Sequence, residues 1–166
     1  MDECGFALNL LRLYGWCPSD QRLAATVPFQ RGQNRSVLGA FCLSGMVATF
    51  TKLGSIKRVD FETFLAEQLL PRLPVGSVLV LDNARIHHGG TMEELVAGAG
   101  CSVLYLPAYS PDFSPIELAW GWIKGLVRKI GPRSDIQREE AIREAVAELP
   151  KEFAKAWFRK CGYHQD

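Results

Sequence analysis

A short apolar segment at positions 78–81 constrains the fold more strongly than any other part of the sequence. It reads Val-Leu-Val-Leu, and the pair Asp82-Asn83 follows it directly. A continuous apolar run of this length is typical of a strand that is buried on both faces, as in sheets that helices cover. Asp-Asn favours a turn, so the strand should end there. The segment therefore predicts a buried strand with Asp82 at its carboxyl end, where α/β sheets bind their ligands.

A helix start at positions 114–117 is the second strong signal. Ser114 is suited to the N-cap, Pro115 to the first helical position and Glu117 to the third. Between Asp82 and Glu117 lie 34 residues. The two carboxylates belong to different elements, and folding could bring them together.

The helix predicted over 115–130 carries two stripes of side chains. One stripe is apolar, and the other contains Glu117, Gly121, Lys124 and Arg128. At about 3.6 residues per turn, the second stripe lies beside the apolar one rather than opposite it. Glu117 can therefore border the core and still meet a ligand, and two cations share its face.

The order of the other segments predicts an α/β fold. We expect an antiparallel meander over 22–29 and 36–52, a helix over 60–70, the strand at 78–81, a helix over 91–99, a strand over 101–106, the helix over 115–130, and two further helices. The first of these two begins after Ser134 and should turn Ile136 to the core, and the second covers 152–160. This order implies a mixed sheet of five strands flanked by helices. A length of 166 residues, 48% of them hydrophobic, fits one domain over 1–166.

Composition narrows the class of protein. The formal net charge is +1, from 19 basic and 18 acidic residues, so charge alone gives no argument for nucleic-acid binding. Five scattered cysteines without a Cys-x-x-Cys pair fit reduced thiols better than a disulfide framework or a zinc site. There is no signal-peptide pattern, and no apolar run reaches membrane-spanning length. We expect a soluble, intracellular protein.

Each acidic residue has an ordinary explanation when it is considered singly. Asp82 could be a turn former, Glu117 a helix-capping residue and Asp2 a solvated charge near a chain end. Carboxylates that converge, however, raise each other's pKa unless a cation neutralises them. Hard oxygen ligands suit Mg²⁺ or Mn²⁺, so a divalent metal ion is the natural occupant of such a group.

Four segments match the motifs of a known family. They are 2–6 (Asp-Glu-Cys-Gly-Phe), 14–18 (Tyr-Gly-Trp-Cys-Pro), 81–87 (Leu-Asp-Asn-Ala-Arg-Ile-His) and 106–117 (Leu-Pro-Ala-Tyr-Ser-Pro-Asp-Phe-Ser-Pro-Ile-Glu). Together with the 34-residue spacing, they resemble the DDE-type transposases of the mariner-like superfamily, and especially its bacterial insertion-sequence branch. The resemblance covers nearly the whole chain.

The resemblance implies a ribonuclease H-like catalytic domain with two divalent ions, Mg²⁺ or Mn²⁺, bound by Asp2, Asp82 and Glu117. Such a pair of ions promotes in-line attack on a phosphodiester, first by water and later by a DNA 3′-hydroxyl. The implied function is the cleavage and joining of double-stranded DNA at the ends of a mobile element. The implied location is the bacterial cytoplasm, at the nucleoid.

Three basic side chains are candidates for contacts with DNA. Lys124 and Arg128 could hold backbone phosphates beside the metal ions, or they could form a solvated helix face. His87 follows the aspartate at the strand end closely, and the resemblance places it near the site. The other interpretation of His87 is an imidazole that supports a metal ligand or only the fold.

The start of the sequence differs from the family pattern. Members of the family carry helix-turn-helix modules ahead of the catalytic domain, and here only Met1 precedes Asp2. The resemblance implies a central first strand, so we expect this strand to be truncated, Asp2 to be loosely held and the chain alone to be poorly active. A truncated gene copy and the downstream product of a two-frame element both fit.

The expected partners are another copy of the chain or a subunit that bears the helix-turn-helix modules. The alternative function is a non-catalytic remnant that binds DNA or a partner subunit.

Overall fold

The computed structural model describes residues 1–163 except positions 11, 13, 25, 27 and 29–31. Five strands form in this part of the chain: β1 (Asp2–Phe6), β2 (Arg35–Cys42), β3 (Gly45–Leu53), β4 (Val78–Leu81) and β5 (Ser102–Tyr105). The first three form an antiparallel sheet in the order β1-β2-β3, and β4 pairs with β5 in parallel.

Helices connect and cover the strands. They are α1 (Arg58–Thr63), α2 (Met92–Gly98), α3 (Pro115–Ile130), α4 (Asp135–Ala147) and α5 (Lys151–Lys160). A π-helical segment, Phe64–Leu69, and a 3-10 turn, Leu70–Arg72, continue α1, and further 3-10 turns lie at Arg85–His87 and Pro111–Phe113. The described helices are not long and apolar enough for any of them to span a membrane.

The two sheets meet beside β1. The amino group of Met1 donates a hydrogen bond to the carbonyl oxygen of Val80, at 2.8 Å, so β1 lies next to β4. Asp2 comes directly after Met1, and Asp82 lies two positions after Val80. The two aspartates are therefore close to the place where β1 and β4 meet.

Two apolar clusters make up the core. The first lies between β2, β3 and β4 on one side and α1, its π-helical continuation and α2 on the other, with Leu38, Phe61, Phe64, Leu81 and Met92 among its buried residues. The second lies between the β1–β2 ladder and helices α3 and α4, with Phe6, Trp120, Ile123, Val127 and Ile142 buried. The apolar stripe predicted for α3 is thus the face that packs on the sheet.

The predicted α/β organisation with five strands is confirmed, with differences in detail. The described strands form two hydrogen-bonded sheets rather than one, and the hydrogen bond from Met1 to Val80 lies where the two sheets meet. The strand predicted over 22–29 falls partly outside the described residues, and the described ones there are not in a strand.

The prediction that Ile136 faces the core is wrong, since this side chain is 72% exposed. The buried face of α4 is formed by Ala141, Ile142 and Ala145. Ile136 lies about 140° round the helix from Ala141 at 3.6 residues per turn, so it points away from that face.

Candidate active site

A cleft of about 380 Å³ brings the three predicted acidic residues together. Asp2, Asp82 and Glu117 all line it, although they come from β1, the end of β4 and the first turn of α3. The remaining walls are formed by Asn83, Ala84, Ser114 and the whole loop from Leu106 to Pro111. The cleft is therefore formed where the strand that ends before Asp82 and the helix start that carries Glu117 come together.

Asp2 is held by β2 and by α3. In the β1–β2 ladder it pairs with Gly39. A β-carbon added at Gly39 would lie 2.7 Å from the ring of Trp120, so only glycine lets this ring rest on β2. From that position the Trp120 Nε1–H donates a hydrogen bond to Asp2 Oδ2 at 3.1 Å. Asp2 is thus fixed by a ladder partner and an indole donor, where the sequence predicts a loosely held residue.

Asp82 stands at the carboxyl end of β4, as the sequence predicts. Its side chain is 53% exposed, and its Oδ1 accepts a hydrogen bond from the backbone N–H of Ala84 at 3.2 Å. The Nδ1 atom of His87 lies 2.6 Å from the same oxygen. The carboxylate is therefore oriented by its own turn and by an imidazole.

His87 is a buried support for Asp82. The side chain is 2% exposed, and its ring packs on Phe61 at 4.8 Å between centroids. Its carbonyl oxygen accepts a hydrogen bond from the Tyr105 hydroxyl at 2.7 Å, and its Nε2 is buried without a partner among the described residues. A buried N–H without a partner is costly, which favours the tautomer with hydrogen on Nδ1, facing Asp82.

Glu117 enters the cleft from the start of α3. Ser114 is the N-cap residue and Pro115 the first helical residue, as predicted, but the Ser114 side chain makes no capping hydrogen bond. The backbone N–H of Glu117 instead donates to the Ser114 carbonyl oxygen at 3.1 Å. Glu117 therefore does not act in a capping box, and among the described residues no donor is bonded to its exposed carboxylate.

The surroundings of the cleft disfavour the charged forms of two of its carboxylates, Asp2 and Glu117. The pKa of Asp2 is raised, mainly because burial penalises the carboxylate and also because Asp82 is negative. Burial and the negative charge of Asp2 likewise raise the pKa of Glu117, and Lys124 only partly opposes this. Because these negative charges repel one another, binding of a cation in the cleft would be favourable.

The donor set fits a hard divalent cation in kind, because it consists of carboxylate oxygens. In the described part of the chain, however, no three His, Cys, Asp or Glu side chains are gathered closely enough to hold a metal ion. The carboxylates share a cleft without forming a preassembled cluster.

Lys124 lies nearer to the acidic residues of the cleft than Arg128 does. Lys124 is half-buried, with its Nζ 5.9 Å from the centroid of the Phe6 ring, and it lies near Glu117. Arg128 is half-buried one turn further along α3. Neither residue lines the cleft itself.

Sequence reasoning missed Gly39 and Trp120. A single glycine inside an otherwise apolar strand is a signal of close approach by another group, so Gly39 could have been noticed. Trp120 lies on the buried apolar face of α3, but the helical spacing of that face does not show that its N–H reaches Asp2.

The sequence profile described as DDE superfamily endonuclease matches residues 1–140. Among the curated proteins no significant match exists.

Three solved structures illustrate the similarity in fold. A Mos1 transposase paired-end complex with the left transposon end has a TM-score of 0.71 and 17% identity, over 97% of this chain and 50% of that chain. The Mos1 mariner paired-end complex with Mn gives the same TM-score, identity and coverage. The catalytic domain of Mos1 mariner transposase has a TM-score of 0.63 and 18% identity, over 78% of this chain and 68% of that domain.

The structural matches confirm the predicted α/β, ribonuclease H-like fold, and the profile match supports the DDE part of the resemblance. The chain spans about half the length of the Mos1 chains in the two complexes. The bacterial branch of the family stays a prediction.

Proposed function

We propose, because the chain belongs to the DDE superfamily endonucleases, that residues 1–166 form a transposase catalytic domain that cuts and joins DNA at the ends of a mobile element. The observation that carries the proposal is the meeting of Asp2, Asp82 and Glu117 in one cleft, although 34 or more residues separate each from the next. We further propose that these three carboxylates bind two divalent ions, Mg²⁺ or Mn²⁺.

The chain's own residues prepare the site for such ions. Trp120 fixes one oxygen of Asp2, and the turn at Ala84 together with His87 orients Asp82. Glu117 completes the donor set from α3. When bound, divalent cations would activate the attacking oxygen and stabilise the leaving oxygen in an in-line displacement at phosphorus. Without a cation, three negative side chains would instead repel a phosphodiester.

Contacts with double-stranded DNA would come from the basic side of α3. Arg128 is suited to a backbone phosphate, and Lys124 to a position between Glu117 and the approaching strand. His87 is buried behind Asp82, so its role in this proposal is to orient that carboxylate rather than to touch DNA. Phosphate contacts of this kind weaken with salt and carry no sequence information.

Sequence-specific recognition would therefore come from elsewhere. We propose that helix-turn-helix modules of a partner subunit supply it, and that the chain associates either with such a subunit or with another copy of itself. A protein of this kind would work in the bacterial cytoplasm, at the nucleoid.

A nicking assay tests the proposal. Supercoiled plasmid is incubated with the purified chain and Mn²⁺ or Mg²⁺, and open-circle DNA is quantified. Asp82→Asn and Glu117→Gln should lower the nicking rate by at least about 100-fold, since each removes a ligand charge. Asp112→Asn is the matched control, because Asp112 lies in the same loop region but outside the cleft. Equal rates for Asp82→Asn and the control would reject the catalytic assignment.

A non-catalytic remnant is the second candidate, and one observation favours it: among the described side chains, no three potential ligands are already gathered as a metal site. Calorimetric titration with Mn²⁺ separates the two. A catalytic domain should bind the ion in an Asp82-dependent manner, whereas a remnant should show no saturable binding at this cleft.

A further inference from the structure

Tyr109 has a backbone conformation that tyrosine rarely adopts. Its φ is +58°, and it is the only non-glycine residue with a positive φ in the described part of the chain. Left-handed backbone costs a residue with a β-carbon about 1–2 kcal/mol, and glycine or asparagine meets the same need at lower cost. The turn alone therefore gives no reason for a tyrosine here.

The Tyr109 side chain gains nothing from the fold that would offset this cost. It is fully exposed, so the ring buries no surface against the rest of the protein. The residues after it are held by hydrogen bonds from Phe113 N–H to the Ser110 carbonyl oxygen, at 3.2 Å, and from Ser114 N–H to the Pro111 carbonyl oxygen, at 2.9 Å. A strained residue kept in place by its surroundings at a cleft points to a role in binding.

The position of Tyr109 indicates what it would bind. It lines the same cleft as Asp2, Asp82 and Glu117. A phosphodiester positioned at the carboxylates would bring its flanking nucleotides to this wall. Three carboxylates make the cleft unfavourable for further phosphates, whereas the uncharged face of a nucleobase can stack on an aromatic ring without a charge contact.

We propose that Tyr109 is a stacking site for an unpaired nucleobase next to the phosphodiester on which the carboxylates act. This inference rests on the proposed function and adds a contact to the base itself. The stacking makes the site prefer DNA whose strand end is unpaired, because a base inside a duplex already stacks on its neighbours and does not present its face.

The test uses two ring-less variants and one that keeps the ring. Tyr109→Asn and Tyr109→Gly remove the ring while accepting the left-handed backbone, so both should fold with a thermal midpoint equal to or above that of the wild type. Tyr109→Phe keeps the ring. Tyr14→Asn is the matched control, since Tyr14 is 89% exposed and does not line the cleft.

The probe is a duplex with a free three-nucleotide 3′ overhang that contains 2-aminopurine, whose fluorescence is quenched by stacking. A blunt duplex of the same sequence serves as the reference, and both are titrated with the full chain in Mn²⁺. Wild type, Tyr109→Phe and Tyr14→Asn should quench the probe. The ring-less variants should lose the quenching and bind the overhang roughly 5- to 100-fold more weakly, with little change for the blunt duplex.

The outcomes separate this inference from the proposed function. Wild-type quenching by both ring-less variants, together with nicking that depends on Asp82, overturns the stacking site and leaves the transposase assignment in place. If the wild-type chain neither binds the probes nor nicks DNA in Mn²⁺, both are overturned.

Discussion

Two groups of acidic residues in this protein have opposite electrostatic surroundings. Asp135, at the start of α4, accepts hydrogen bonds from Arg35 and Arg138, which lower its pKa from 3.8 to about 2. Asp2 and Glu117, in the cleft, have raised pKa values because they are desolvated and lie near one another and Asp82. The first group is neutralised by the fold, whereas the second is left negative.

The cations around Asp135 tie three elements together. Arg35 of β2 lies 2.6 Å from its Oδ2, and the buried Arg138 lies 2.5 Å from its Oδ1. Arg138 also donates to the carbonyl oxygen of Phe6, at the end of β1, at 3.1 Å. The group around Asp135 therefore contributes to folding, whereas the charges in the cleft oppose it, and we propose that a divalent cation from outside the chain offsets this cost.

Removing the carboxylate of the neutralised group should have the largest effect on stability. Asp135→Ala leaves two largely buried guanidinium groups without their main partner, and we expect a loss of about 2–4 kcal/mol. For a domain of this size that lowers the thermal midpoint by roughly 5–15 °C. Urea unfolding and calorimetry at pH 7 measure the loss.

Glu139→Ala is the control for this prediction, because Glu139 pairs with Arg35 at 3.2 Å from a more exposed position and should cost at most about 1 kcal/mol. The pH dependence adds a second check. The contribution of Asp135 is fully present above its unfolded pKa of 3.8 and is lost as the pH falls toward 2, so variant and wild type should converge in that window. Equal losses in the two variants at pH 7 would contradict the assigned role.

The support behind the cleft should affect metal binding more than folding. In His87→Phe the ring still packs on Phe61 and the unpaired Nε2 is gone, but the contact with Asp82 is lost. Removing a group that orients a metal ligand typically weakens affinity about 10- to 100-fold. We expect that loss in Mn²⁺ titrations, with the free energy of unfolding of the metal-free protein within about 1 kcal/mol of the wild type.

His88→Ala provides the comparison for His87→Phe. His88 is exposed and contacts Asn83 and Tyr105 rather than a carboxylate. Its replacement should change Mn²⁺ affinity less than about twofold. An unchanged affinity in His87→Phe would show that the turn at Ala84 orients Asp82 on its own.

Local patterns in the sequence predicted the elements that carry the site. The apolar run before Asp82, the Ser-Pro start of α3 and the buried stripe of α3 depend on residues a few positions apart, and each is present in the structure. The resemblance added Asp2, which no local pattern supports. The three residues then meet in one cleft, while their roles as metal ligands stay predictions.

The contacts that hold the two acidic groups could not be predicted in this way. Trp120 is 118 positions from Asp2, and Arg35 is 100 positions from Asp135. Such pairs depend on how α3 and α4 pack on the β1–β2 ladder. Hydrophobic periodicity predicts a helix and its buried face, but it does not show which residue of another element each side chain will contact. The exposure of Ile136 has the same cause. Its apolar side chain suggested a place on the buried face of α4, but packing buries the face that carries Ala141 and Ala145.

We expect the smallest effect on stability from Asp2→Asn. This substitution tests most directly whether the cleft, unlike the group around Asp135, opposes folding. Asparagine keeps an acceptor for Trp120 but removes the charge. Because the folded pKa of Asp2 is raised above 3.8, its protonated form is favoured by folding, and the wild type loses that contribution as the pH rises through the folded value. At pH 7 without metal, the variant should therefore be more stable, by up to about 1 kcal/mol or about 3 °C.

This gain for Asp2→Asn should vanish below about pH 4, where the wild-type carboxyl is also neutral, and Mn²⁺ should reverse it by stabilising only the wild type. Thermal unfolding followed by fluorescence, at pH 3 to 8 with and without Mn²⁺, measures all three. If the variant is instead less stable at pH 7 without metal, the charged hydrogen bond from Trp120 outweighs burial and repulsion. In that case the cleft, like the group around Asp135, would contribute to folding rather than oppose it.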